Sequence, residues 1–188
     1  MKKADRLRKE NLEKIKDWDS FNEALGEESE RGIALLMAAF MDYQLRELIA
    51  NFLVNDASEV DILLGTESNY DSPLGTFSSR ITAAYCLGLI TSVERDNLRL
   101  IQKIRNKFAH SLQGLSFDEP EIVSLIRRLK VSKTFPLGSH DTPIDVLSTV
   151  MVDLTGDLEF EIEKVSQNRR TVRADSNEFR EPEDSAVY

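Results

Sequence analysis

Between Ile33 and Phe52 the chain carries Ile33, Leu36, Met37, Phe40, Met41, Leu45, Leu48, Ile49 and Phe52. At helical spacing these residues cover more than half of a helix circumference, from about Glu30 to Val54, and so apolar a helix has to be enclosed by other elements. The chain is therefore expected to build a bundle around one central rod. Asp42, Arg46 and Glu47 interrupt the rod, and a charge on a buried helix needs a partner or a route to water. Asp42 and Arg46, four residues apart, are spaced to satisfy each other.

The remaining elements follow from start and stop signals. Leu7, Leu12, Ile15 and Trp18 mark a thin apolar stripe on a charged first helix running to about Asp17, which Gly26-Glu27-Glu28-Ser29 separates from the rod, with Ser29 or a nearby acid as N-cap. Val60 to Leu64 reads as a short apolar turn before the bend-rich stretch Gly65 to Ser72. Thr76 caps a third helix whose core face is set by Ile81, Ala84, Tyr85 and Leu87, and Gly88 ends it. Thr91 and Glu94 form a capping box for a fourth helix carrying Leu98, Ile101, Ile104, Phe108 and Leu112, closed by Gly114. Pro120 opens a fifth helix to about Lys130, with Ile122, Leu125, Ile126 and Leu129 inward, and a loop with Pro136 and Gly138 follows. Thr142-Pro143 then starts a last long helix with Leu147, Val150, Met151, Leu154, Leu158, Ile162 and Val165 on one face. No strand-type alternation and no internal repeat is present. The expected fold class is all-α, a single-domain helical bundle of about six or seven helices. Its parts are a peripheral N-terminal helix over 1–27, the bundle over 28–166 and a polar tail over 167–188.

The length of 188 residues, with 41% hydrophobic and 30% charged residues, suits one domain with its own core. Cys86 has no second cysteine to pair with, and together with His110 and His140 it gives no zinc-ligand spacing, so neither a disulfide nor a metal is expected. Cys86 is expected on an apolar face as a small hydrophobe. The charged start lacks an apolar signal region and no run approaches the ~20 residues of a membrane span, which points to a cytoplasmic protein without membrane contact. A formal charge of −9 disfavours broad binding to nucleic acid, so any such contact has to be local, and the basic stretch Lys2 to Lys16 is one place for it. The absence of a Gly-rich phosphate loop and of Ser-His-Asp spacing gives an expectation of no cofactor.

Ala84 and Gly88 ahead of a further helix have the outline of a helix-turn-helix. In that motif the second helix is apolar where it packs on the first, yet the corresponding positions hold Glu94 and Asn97, and Glu94 and Asp96 would face a phosphate backbone. No DNA-reading helix is expected.

Three blocks in order and spacing carry a family likeness: Glu30 to Asp42, Pro73 to Ile81 running into Ala84 to Ile90, and Ile101 to His110. Together they resemble the mannitol operon repressor family of bacterial regulators, over roughly residues 28 to 165. The resemblance implies an all-helical transcriptional regulator, a repressor of mannitol uptake and catabolism, without a recognisable helix-turn-helix and not an enzyme. Two routes remain open for it: a regulatory protein partner, or direct contact with DNA through the basic first helix of a homodimer or other homo-oligomer.

The segment Arg105-Asn106-Lys107-Phe108-Ala109-His110 also resembles the Arg-x4-His signature of HEPN domains, which include metal-independent ribonucleases and nucleotide- or RNA-binding relatives. Cleaving RNA without a metal needs a group near neutral pKa to take the 2′-hydroxyl proton and a fixed cation for the phosphate, roles open to His110 and Arg105. At 100° per residue Arg105 and His110 diverge by about 140° around one helix, whereas Asn106 and His110 share a face, so a nuclease would need a second protomer. The alternative for these residues is structural: a polar cluster of Arg31, Asp42, Arg46, Glu47, Arg105, Asn106 and His110, in which Arg105 and Asn106 bond acids of the rod such as Asp42 or Glu47.

Overall fold

The computed structural model describes residues 25, 26, 28–65, 72–111, 114–133, 138 and 141–174. Among them six helices form and no strand does: α1 (Glu30–Phe52), α2 (Ala57–Leu64), α3 (Phe77–Cys86), α4 (Ser92–His110), α5 (Pro120–Ile126) and α6 (Pro143–Ser166). The all-α bundle expected from the apolar periodicity is what the chain builds. The expected first helix, His140, Leu112 and most of the polar tail lie outside the described residues.

Five of the six helices start where a side chain accepts the free N–H groups of a first turn, α5 being the exception. Ser29 accepts from the Gly32 amide at 3.2 Å, and Asp56 accepts from Ser58 and Glu59. Thr76 with Ser79, Thr91 with Glu94 and Thr142 with Asp145 close reciprocal capping boxes. Pro120 and Pro143 occupy first-turn positions, where no backbone N–H is required. Gly88, at φ +73°, supplies the left-handed residue that lets α3 turn into α4.

The rod α1 is the hub. Met41, Leu45, Leu48 and Ile49 have no exposed surface at all, because α6, α4, α3 and α2 all pack on it. Arg31 at the start of α1 bonds the end of α4, so these two helices run antiparallel. Gln44 meets Glu159 of α6, and Val54 pairs with Arg170 beyond α6 in an isolated bridge, so α1 and α6 run in the same direction. The Arg170 guanidinium lies 3.7 Å over the Phe52 ring and fastens the chain after α6 to the end of the rod. The short helix α5 leans on α4 and α6, and Phe117 ahead of it stacks at 4.8 Å on Phe108 of α4.

Several boundaries differ from the sequence reading, for local reasons. Val60 to Leu64 is the end of a true helix, because the Asp56 cap starts it four residues earlier. Helix α3 ends at Cys86, so Tyr85, Cys86 and Leu87 turn outward instead of joining Ile81 and Ala84 in the core. Helix α4 stops at His110, ahead of Gly114, with Ser111 as its C-cap. Helix α5 stops at Ile126 rather than near Lys130, and Asn97 of α4 accounts for the early stop: its amide donates to the Lys130 carbonyl at 2.8 Å and accepts from the Lys130 N–H at 2.9 Å. A polar side chain that looked out of place in a core position is thus fully satisfied there by backbone.

Candidate functional site

The last two turns of α4 hold the Arg105 to His110 segment. Helix α4 is regular through His110, so the divergence of Arg105 and His110 by about 140° stands, and the two do not converge within one chain. His110 is exposed, and Arg105 and Asn106 are half-buried. Arg105 Nη1 donates to Asn106 Oδ1 at 3.0 Å, and no carboxylate among the described residues pairs with it. The expected bonds from Arg105 to Asp42 or Glu47 are therefore absent, because those acids have nearer cations.

Arg31 belongs to this end of the molecule. Its guanidinium donates to the Ala109 carbonyl at 3.0 Å and to the Ser111 carbonyl at 3.4 Å, two acceptors left free where α4 ends. A cation at that position also meets the negative end of the helix dipole. Beside it, the Glu30 carboxylate accepts from the Phe117 N–H at 2.5 Å and from Ser116 Oγ at 3.4 Å. Lys107 reaches Glu121 of α5 at 2.5 Å. The N-terminus of α1, the C-terminus of α4 and the loop before α5 are thus tied into one polar knot, with His110 on its outer side.

The charges in the middle of the rod belong to a separate place. Asp42 accepts from Arg80 of α3 at 2.6 Å, and the same guanidinium donates to the Leu64 carbonyl at 2.9 Å. Arg46 pairs with Asp61 of α2 at 2.8 Å and with Glu47 at 3.2 Å. The expected partnership of Asp42 with Arg46 along one helix face gives way to two contacts between helices. The reason is position: Asp42 faces α3 and Arg46 faces α2, and each finds a counter-charge delivered by the neighbouring helix. The seven residues read as one polar cluster are divided into the knot at the α1–α4 end, the Asp42–Arg80 contact and the Arg46–Glu47–Asp61 contact.

Arg80 is the residue that sequence reasoning missed. It is the one buried charged residue among the described residues, and its Nε has no hydrogen-bond partner among them. The available signal was a cation at the fourth position of α3, directly ahead of core residue Ile81, where a surface arginine would be out of place.

Three titrating groups reflect their surroundings. Burial, then the charge of Glu47, pushes the Tyr43 hydroxyl above its ordinary range, partly offset by Arg46. Burial, then the neighbouring Asp157 charge, raises the Asp153 carboxyl on α6. Hydrogen bonds from Arg95, then from Lys130, lower Asp96. Among the described residues no group of three His, Cys, Asp or Glu side chains is placed to hold a metal ion, and no helix is long and apolar enough to cross a membrane. A shallow depression is lined by Asp118, Pro120, Val123, Ser124 and Arg127, on α5 and its two ends.

Fold and site together define an all-helical bundle whose polar groups serve mainly to join helices. No family model matches the chain, and no curated protein matches it. Among solved structures it is similar to the MtlR–HPr complex from Escherichia coli, with 21% identity and a TM-score of 0.55 over 79% of this chain and 97% of that one. The fold is MtlR-like.

The buried pair gives a direct test. Asp42→Ala leaves Arg80 without its carboxylate and is expected to cost about 3–5 kcal/mol in urea unfolding, whereas the double change Asp42→Ala with Arg80→Met costs less than the two single changes added together. Additive costs would show that the two side chains do not act as a pair.

Proposed function

We propose that this chain is a bacterial transcriptional regulator of the mannitol repressor type, cytoplasmic, homo-oligomeric, not an enzyme, and acting through a protein partner. The observation that carries the reading is the MtlR-like fold, which extends over 97% of the MtlR chain. That protein is seen in complex with HPr. The three sequence blocks that resemble the family fall on α1, on α3 with its turn, and on the second half of α4, which pack on one another. The site supports a partner-based route over direct reading of DNA. Helix α4, which would be the reading helix of a helix-turn-helix, is packed along α1 and α5, and the chain is strongly acidic.

In the source organism, deleting the gene is expected to raise transcription of the mannitol operon several-fold, and supplying the gene in trans reverses the rise. Unchanged transcript levels would remove the operon assignment.

A second reading, a HEPN-type ribonuclease or nucleotide- and RNA-binding module, is favoured by one observation. Arg105 has no acidic partner among the described residues and His110 is exposed, so both remain available to a ligand. This reading predicts RNA cleavage that persists in chelator and disappears in His110→Ala. A folded wild-type protein that leaves RNA intact would end the catalytic form of it.

A further inference from the structure

Among the described residues two outward faces of the bundle are opposite in charge. On α4 the exposed Arg99 and Lys103 have no ion partner among the described residues, and four-residue spacing continues their line to Arg95 above, which pairs with Asp96, and to Lys107 below, which pairs with Glu121. At the upper end, the α3–α4 turn exposes Tyr85 (39%), Leu87 (42%) and Val93 (43%), and the Arg95 guanidinium lies 4.2 Å over the Tyr85 ring. A cationic ridge thus ends in an apolar patch. On α6, Phe160 is 70% exposed, with Asp157 one turn before it and Asp153 two turns before it. Neither aspartate has a cation beside it among the described residues, and their mutual repulsion is uncompensated. Ile62 and Val172, also exposed, lie on α2 and beyond α6.

The spacings match. Arg99 and Lys103 are separated by about 6 Å along their helix axis, as are Asp153 and Asp157 along theirs. When two copies are laid antiparallel with Asp157 against Arg99 and Asp153 against Lys103, Phe160 falls about 4.5 Å further on, at the level of Arg95 and the Tyr85–Val93 patch. We propose that the α4 ridge docks a second copy of this chain through its α6 face, with Phe160 as the apolar anchor beyond the two opposed charge pairs. Each copy offers both halves, so the contact closes as a two-fold dimer or a ring, or extends as a chain. The formal charge of −9 on each copy opposes approach at long range. Within a Debye length the opposed patches dominate, and this makes the contact sensitive to salt. A nucleic-acid backbone would use the cations of the ridge but not its apolar end, and would gain nothing from Phe160. The inference deepens the homo-oligomer part of the proposed function and is independent of the operon assignment.

Sedimentation velocity of the full chain over a concentration series tests it. The wild type is expected to self-associate, more weakly as salt rises from about 0.05 M to about 0.5 M. Arg99→Glu with Lys103→Glu, Asp153→Lys with Asp157→Lys, and Phe160→Ala are each expected to weaken association at least about tenfold while leaving the helical circular dichroism unchanged, since Arg99, Lys103, Asp157 and Phe160 are exposed and Asp153 is only half-buried. Mixing the two charge-reversed proteins is expected to restore association, because each supplies the complement of the other. A wild type that stays monomeric at every concentration overturns both this proposal and the homo-oligomer reading. Association that ignores the substitutions, or that mixing does not restore, overturns the assigned surfaces alone. A monomeric wild type that binds duplex DNA, with binding lost in the Arg99→Glu, Lys103→Glu protein, would assign the ridge to phosphate instead.

Discussion

Enclosing α1 is the demand that organises this molecule. A helix with Met37, Phe40, Met41, Leu45, Leu48 and Ile49 spread around it cannot lie on a surface, and in the fold these side chains are buried almost completely. Each contributes on the order of 1.5–3 kcal/mol from removal of apolar surface, less the ordering entropy that folding has to offset. Helices α6, α4, α3 and α2 supply the enclosure. With neighbours on several sides, polar groups facing them have to be met across the helix contacts. Arg80 comes to Asp42, Asp61 comes to Arg46, and Glu159 comes to Gln44. These contacts fix which helix lies on which side, since an ion pair inside the bundle stands only where both partners arrive.

The parts of this fold legible in the sequence were those set by local chemistry. Thr76, Thr91 and Thr142 announce helix starts by capping geometry that depends on four residues at a time, and all three close capping boxes. The apolar period placed the buried faces of α1, α4 and α6 for the same reason. The fold departs from the sequence reading where contacts distant in the chain decide. Tyr85 and Leu87 fit the core face of an ideal helix, yet α3 ends at Cys86 and they turn outward. Asp42 and Arg46 satisfy a rule for isolated helices, but α2 and α3 bring Asp61 and Arg80 to them from elsewhere in the chain. Asn97 looked foreign to a packed position until the Lys130 backbone, thirty-three residues on, met both ends of its amide. Of the candidate site residues, the sequence identified Arg31 as important but not its role, because the carbonyls it caps belong to α4.

Function on such a scaffold comes from what the enclosure leaves outside. The inner faces of α4 and α6 are committed to the rod, and their outer faces carry Arg99, Lys103 and His110 on one and Asp153, Asp157 and Phe160 on the other. The knot of Arg31, Glu30, Lys107 and Glu121 fixes the end of α4 and therefore the direction in which its outer face points. The proposed function rests on these presented faces and on how rigidly the bundle holds them.

Native-state hydrogen exchange measures the dependence on α1 most directly. If the rod is the enclosed hub, its amides from Ala34 to Ile49 open only when the whole domain unfolds, so they are the slowest to exchange, and their opening free energy equals the global value from denaturant unfolding. Rod amides that exchange through local opening, faster than those of α4 or α6, would contradict the account.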